Sequence, residues 1–355
     1  MTKNVPAANG FSDDRVVPAE WEPHQAMWLG FPSHENLWQE DLIPAQAEVA
    51  ALARVLAEAG DEHVKLMVMG DAARKAAEDM LGDLKKVEII DGKFGDIWFR
   101  DTGPIYVSLD KDGKDHHAAR PISFLNNGWG GKYHLKYDDQ VAAQITTADG
   151  HVSELHEFIL EGGSLDHDGF GTVLTTRQCL LNPNRNPDWT QSTAEQALTE
   201  ALGAKKVIWL GDGLLNDHTD GHIDNLARFV APGVVACPVA FGTDDPNAEI
   251  YDTTAKFLSQ QTDARGMPLQ VVRIPSPGKT LDEDGEIIPA SHMNFLIAND
   301  CVVVPIYNDR PGEMAVEALQ SLFPERTVLG LSSEAILTGG GSFHCISQQV
   351  PLIRA

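Results

Sequence analysis

The stretch Ser192-Thr193-Ala194-Glu195-Gln196-Ala197-Leu198-Thr199-Glu200-Ala201-Leu202-Gly203 runs through Ala204-Lys205-Lys206 into Val207-Ile208-Trp209-Leu210. Its serine and the glutamate three residues later form a capping box, which predicts a helix over 192–203. The β-branched and aromatic run that follows predicts a strand. The same order recurs at 44–59 before Val64–Met69, at 71–81 before Lys86–Ile90, at 246–261 before Leu269–Ile274 and at 311–323 before Thr327–Leu331. Further strand-like runs lie between these pairs, at Pro104–Leu109, Val173–Leu180, Gly233–Val239, Met293–Ala298 and Cys301–Ile306. Five helix–strand pairs with extra strands predict an α/β fold without simple βαβα alternation. The recurrence lies in element order, not in sequence similarity between units. No low-complexity tract, spacer or charge block divides the chain. Residues 1–355 therefore read as a single domain, with about 1–15 polar and loose.

The chain is 43% hydrophobic and 22% charged, ample for one large core or two smaller ones. With 27 lysines and arginines against 52 aspartates and glutamates, the formal charge is −25. That balance excludes a nucleic-acid binder, because phosphate contacts need basic side chains. It suits a cationic small molecule, although surface acid also serves solubility alone. No GxGxxG or P-loop sequence follows any predicted strand. The four cysteines, Cys179, Cys237, Cys301 and Cys345, form no CxxC pair and no disulfide framework. The opening Met1–Pro6 lacks the apolar core of a signal peptide, and no apolar run is long enough to span a bilayer. The expected setting is soluble and cytoplasmic, without membrane contact. A homo-oligomer is compatible with the sequence.

Four polar constellations stand out. Trp98-Phe99-Arg100-Asp101-Thr102-Gly103-Pro104 places Asp101 at a turn before a strand, where it either caps the turn or faces a pocket. Phe158-Ile159-Leu160-Glu161-Gly162-Gly163-Ser164 ends an apolar strand on a carboxylate, and glutamate is not a preferred turn residue. Asn216–Asn225 holds two histidines and three aspartates within eight residues. On a strand, His222 and Asp224 would share one face. Zinc held by His218 and His222 would need a helix, which Gly221 opposes. A calcium-loop reading from Asn216 fails, because position twelve is Ala227 where a bidentate glutamate is required. Finally, Gly339-Gly340-Gly341-Ser342-Phe343-His344-Cys345 presents a cysteine just after three glycines. His344 would point away from Cys345 on extended chain, so a base must come from elsewhere.

Several carboxylates around one thiol raise its pKa and oppose an oxyanion, which argues against ordinary amide hydrolysis. A bound guanidinium reverses this. It is planar, always charged and offers five forked donors that match carboxylates. Each charge-assisted bond contributes on the order of 1.5–3 kcal/mol, and the cation favours the thiolate. The set points to attack by sulfur on a guanidinium carbon.

Trp98–Pro104, Glu161–Ser164, Leu181-Asn182-Pro183-Asn184-Arg185-Asn186-Pro187, Gly221–Asn225 and Gly339–Gln349, with Pro18–His24 at the start, resemble the agmatine deiminase family, grouped with the Porphyromonas-type peptidylarginine deiminases. The resemblance covers nearly the whole chain. It implies a single-domain, five-bladed α/β-propeller, the pentein fold, with a pseudo-fivefold arrangement of ββαβ units. It further implies Cys345 as nucleophile, His222 as general acid/base, Asp101 and Asp224 as guanidinium-binding carboxylates, Glu161 as the group orienting the histidine, and Trp98 as pocket lining. No cofactor and no metal are implied. The implied reaction takes agmatine to N-carbamoylputrescine and ammonia through a covalent S-alkylthiouronium. The alternative substrates are peptidyl-arginine or another guanidino compound. Three positions depart from the family pattern. His218 stands where agmatine-selective members commonly carry an acidic residue, which places it at the substrate's far end. Ser342-Phe343 replaces their usual Asn-Ile.

Two rival classes remain: a zinc hydrolase built on His218, His222 and nearby aspartates, and a non-catalytic binding module. Cys179, Cys237 and Cys301 read as core. His116, His117, His134, His151 and His156 read as surface. Asn126-Asn127-Gly128-Trp129-Gly130-Gly131 is a loop whose Trp129 could line or cover the pocket.

Overall fold

The computed structural model describes residues 15–109 and 119–352. The expected loose start, apart from Arg15, and the expected surface residues His116 and His117 lie outside the described residues. Arg15 itself opens the strand Arg15–Val16, which pairs with Ser108 and Leu109.

Among the described residues the strands form five sheets of three or four strands in a mixed α/β structure. One local plan recurs. A first strand forms an antiparallel pair with a second, a helix crosses over, and a third strand lies parallel to the second. Arg228–Ala231, Val234–Val239, helix Ala248–Leu258 and Gln270–Pro275 make one such set. Leu296–Ile297, Cys301–Ile306, helix Asp309–Gln320 and Thr327–Ser332 make another. Asp166–His167, Thr172–Thr176, helix Gln191–Leu202 and Lys206–Leu210 follow suit, as do Ile105–Leu109, Ala119–Leu125, helix Val141–Ala148 and Glu154–Ile159. The fifth set is assembled from both ends of the chain. The closing strand Ser347–Pro351 pairs antiparallel with His24–Gly30, helix Leu42–Glu58 crosses over, and Val64–Val68 and Val87–Asp91 follow in parallel. Parallel pairs need such crossovers, which explains why each helix precedes its strand.

Burial follows the same logic. Helix Leu42–Glu58 buries Ala45, Val49, Leu52, Ala53 and Leu56, the three-and-four spacing of a single face. The middle strands, buried on both sides, are continuously apolar or threonine-rich, as in Thr172–Thr176 and Cys301–Ile306.

Some local expectations are corrected. The helix expected at 192–203 starts earlier: Thr190 is its N-cap and exchanges bonds with Thr193 in the capping box, while Glu195 accepts from the indole of Trp209 at 2.7 Å. The run 173–180 is a strand only to Thr176, where the Thr176 side chain caps a short helix, Arg177–Leu180. The run 293–298 opens as a 3-10 turn, and only Leu296–Ile297 pair as strand. His222 and Asp224 lie on no strand; His222 caps the 3-10 turn Ile223–Asn225.

Each of the five sets is entered through a short turn just before its first strand. The turns are Phe99–Thr102, Gly162–Ser164, Ile223–Asn225, His292–Asn294 and the bend at 343–346. They are mutually bonded. Gly163 N donates to Asp101 Oδ1 at 2.9 Å, Asn294 Nδ2 to Asn225 Oδ1 at 3.0 Å, His344 N to Asn294 O at 3.2 Å and Arg100 N to Cys345 O at 3.0 Å.

Candidate active site

The five turns supply the polar groups that converge beneath a cavity of about 410 Å³. Cys345 and Asp101 reach its lining, together with Trp98, Trp129, Tyr133, His218 and Gly339–Gly341. His222, Asp224 and Glu161 lie beneath, fully or almost fully buried.

Cys345 is positioned from two sides. Its backbone N–H donates to Asn294 Oδ1 at 3.2 Å, and Asn294 Nδ2 donates to its Sγ at 3.1 Å. The same Oδ1 accepts from His344 N at 2.9 Å. One side chain thus fixes both the backbone and the sulfur of the turn. The three glycines before it have separate reasons. Gly340 has φ +104°, which favours glycine. A Cβ on Gly339 would lie 2.7 Å from the Trp38 ring, and one on Gly341 2.6 Å from the Trp98 ring. Both indoles donate to one carboxylate, Asp96, at 3.0 and 2.8 Å. Burial pushes Asp96 up to about 7, against the bonds it accepts.

The carboxylates fall into two kinds. Asp224 Oδ2 accepts from His344 Nδ1 at 2.8 Å and lies 3.6 Å from Cys345 Sγ, while its buried Oδ1 has no partner. Asp101 accepts from Gly163 N and, at 2.8 Å, from the indole of Trp129. These two flank the thiol. Glu161 faces the other way. Both its oxygens accept from Arg185 Nε, at 2.8 and 3.1 Å, and Oε2 lies 3.6 Å from His222 Nε2. His222 Nδ1 is 3.7 Å from Asp101. A Cβ on Gly163 would sit 2.6 Å from His222 Nδ1, so only glycine leaves room there.

Electrostatics follow from this packing. Burial, then Asp224 and Asp101, push the Cys345 thiol well above its ordinary value, with the Asn294 bond opposing. Burial opposes charge on His222, yet Asp101, Cys179 and Glu161 together hold its imidazolium well above the ordinary range. Glu161 is lowered: burial raises it, but His222 and Arg185 outweigh that. Asp224 is likewise lowered: burial raises it, but His344, His222 and Arg228 together outweigh that. Asp101 is raised, by burial and by the neighbouring Asp224 and Glu161, with His222 opposing. The site thus sets a raised thiol and a raised imidazolium beside the lowered carboxylates of Glu161 and Asp224, with Asp224 Oδ1 lacking a donor among the described residues.

His344 is no partner of the Cys345 sulfur; it bridges Asp224 and Glu20, the latter at 3.1 Å. Glu20 also pairs with Arg228, which is held by Asp166 at 2.9 Å. The loop at 126–131 does line the cavity, with Trp129 in a left-handed conformation at φ 52°. His218 is exposed at the wall, where Nδ1 meets Tyr133 Oη at 2.8 Å and the rings stack. Among the described residues, the three groups close enough to hold a metal are Glu161, Cys179 and His222, so the zinc set expected around His218 is not assembled.

Sequence reading missed Asn294, Arg185, Asp96 and the site-facing side of Cys179. Arg185 stands inside the quoted Asn182–Pro187 motif, without a role. Asn294 has a signal in hindsight: it occupies the fourth of five equivalent turns, the others carrying Asp101, Glu161 with Gly163, Asp224 and Cys345.

The model of the Porphyromonas-type peptidyl-arginine deiminase family matches residues 16–351. An agmatine deiminase from Pseudomonas aeruginosa (strain LESB58) is 37% identical over 377 residues, covering 99% of this chain and 98% of its own. The structure of an agmatine deiminase of Enterococcus faecalis superposes with a TM-score of 0.89 at 32% identity, covering 96% of this chain and 97% of that one. An agmatine deiminase of C. jejuni, solved with substrate bound, superposes with a TM-score of 0.85 at 26% identity, over 95% and 96% of the two chains.

Proposed function

The chain belongs to the Porphyromonas-type peptidyl-arginine deiminase family, and we propose from its site that it hydrolyses the guanidinium of agmatine to N-carbamoylputrescine and ammonia. One observation carries the reading: Asp224 Oδ2 lies 3.6 Å from the Cys345 sulfur, the buried Asp101 lines the same cavity, and Asp224 Oδ1 is buried without a partner among the described residues. A guanidinium supplies both the missing donor and the missing positive charge.

In this reading the guanidinium lies against Asp101 and Asp224, and its charge draws Cys345 toward thiolate, the Sγ–H proton leaving to water. Sγ forms a bond to the guanidinium carbon. The C–N bond then breaks, with His222 giving its proton to the departing ammonia. The resulting S-alkylthiouronium is attacked by water, whose proton returns to His222. The C–S bond breaks and the thiolate leaves the ureido product. Glu161, anchored by Arg185, keeps the imidazole charged and oriented. Glu40 and Asp41 line the cavity farther out and give the second cation of agmatine acidic neighbours. The second reading, another guanidino compound or peptidyl-arginine, is supported by the His218–Tyr133 pair on the same wall, where a carboxylate would favour a cation more.

The five sheets, joined through bonded turns, support the pentein arrangement: five ββαβ blades around an axis, with one catalytic domain spanning 1–355. Among the described residues no helix is long and apolar enough to cross a membrane.

Agmatine, free arginine and arginine peptides, each assayed for ammonia and ureido product, test the substrate. Equimolar ammonia and N-carbamoylputrescine from agmatine are expected, with no turnover by Cys345→Ser. Turnover at the wild-type rate by that variant would remove the nucleophile assignment. Preference for arginine peptides would replace agmatine.

A further inference from the structure

Cys179 has no step in the reaction above, yet it is packed against the imidazole that does. It sits on the short helix Arg177–Leu180, capped by Thr176, which aims its sulfur inward. Sγ lies 3.9 Å from Glu161 Oε2, and that oxygen is 3.6 Å from His222 Nε2. The three donor atoms all lie within 4.8 Å of one another, and all three residues are buried.

From this geometry we propose that Cys179, His222 and Glu161 form a binding site for Zn²⁺ or a similar thiophilic divalent cation, and that its occupation switches the enzyme off. A zinc ion holds sulfur at about 2.3 Å and nitrogen or oxygen at about 2.0–2.2 Å, so neighbouring ligands on a tetrahedron are about 3.3–3.6 Å apart. The nitrogen–oxygen separation already meets that spacing, and the sulfur, 3.9 Å from Glu161 Oε2 and within 4.8 Å of the His222 nitrogen, moves inward by a rotamer adjustment of Cys179. A thiolate, an imidazole and a carboxylate are a donor set zinc accepts. His222 Nε2 is buried and makes no hydrogen bond, so a donor is available there. Arg185 uses one lone pair on each Glu161 oxygen and leaves others free. On binding, the Sγ–H bond of Cys179 and the Nε2–H bond of the His222 imidazolium break, sulfur–metal and nitrogen–metal bonds form, and both protons leave to water. The metal also takes the Nε2 position of His222, so the ring can no longer cycle through imidazolium. That loss of activity rests on the deiminase reading; the binding itself does not.

The full-length Cys345→Ser protein, which lacks the competing thiol of the cavity, is titrated with Co²⁺ as a coloured stand-in for zinc. One equivalent binding with a sulfur-to-cobalt charge-transfer band is expected, and the band is lost when Cys179→Ser is added. Cys179→Ala in the same background gives a second version should serine disturb the packing. No band in Cys345→Ser, or a band that survives both substitutions, overturns the site. In the active enzyme, Zn²⁺ is expected to lower kcat on agmatine. Cys179→Ser, scored against its own zinc-free rate, should need at least about tenfold more Zn²⁺ for the same fractional loss. Equal sensitivity, or activation by zinc, overturns the switch. A protein that binds cobalt as described but yields no ureido product from any guanidino compound, even without metal, would defeat the deiminase reading and leave the metal site standing.

Discussion

At the scale of single residues, the protein keeps its sulfur weak until the substrate arrives. Burial and two aspartates raise the Cys345 thiol, and the chief opposing influence from a side chain is the Asn294 bond. Asn294 is therefore a positioning residue whose loss has a signature beyond stability. In Asn294→Ala the pH profile of Cys345 alkylation by iodoacetamide should move to higher pH, and kcat should fall more than KM changes. Asn294→Asp, which adds a negative charge beside the sulfur, should move it farther still. An unshifted alkylation profile in both variants would reduce Asn294 to a packing residue. The backbone side of its role costs too. Removing the amide strands the N–H of Cys345, on the order of 1–3 kcal/mol, while the His344 N–H keeps the Asn294 backbone carbonyl.

At the scale of elements, the turns that open the five sets do the positioning, and their tolerance is narrow. In the turn Gly162–Ser164, a methyl group at position 163 would meet His222 Nδ1 at 2.6 Å, Asp101 Oδ1 at 2.8 Å and Asp224 Oδ2 at 3.1 Å. Gly163→Ala should cost about 1–3 kcal/mol in stability but about 100-fold or more in kcat/KM, because three reacting groups must shift together. A variant with near-normal kcat/KM would show that the turn has slack the distances deny. The loop carrying Arg185 makes a different prediction. Glu161 is held below its ordinary pKa, so its contribution to folding is present above the ordinary carboxylate range and is lost as pH falls through its lowered value. Arg185→Met strands that buried carboxylate and should cost about 3–5 kcal/mol at neutral pH. The deficit should narrow on acidification, which unfolding curves across the acid range would reveal. These elements also show what could be read from the chain alone. Asp101, Glu161, His222, Asp224 and Cys345 were legible because each interrupts its surroundings: a carboxylate before glycines, a histidine among aspartates, a thiol after three glycines. Asn294 was not, because Met293-Asn294-Phe295 reads as the start of an apolar strand and its value appears only when the fourth turn meets the fifth. Cys179 was not, because its neighbours Leu180 and Leu181 are those of any core cysteine, and nothing local tells that His222, 43 positions on (222 − 179), packs against it.

At the scale of the whole molecule, a formal charge of −25 surrounds a site built to receive a cation. Association with agmatine should therefore weaken with salt: its KM should rise several-fold between low ionic strength and about 1 M, where screening extends only about 3 Å. A salt-independent KM would confine the electrostatics to the buried carboxylates. The order of elements along the chain has one more effect. The strand His24–Gly30 is made long before its antiparallel neighbour, Ser347–Pro351. A chain leaving the ribosome thus carries an open, apolar sheet edge through most of its synthesis, an invitation to pair with another nascent chain. Between the making of Asp224 and that of Cys345 it holds the carboxylates and the imidazole without the sulfur. The attack proposed for the sulfur therefore waits until Cys345 has been made and the strand that follows it has closed the fifth sheet.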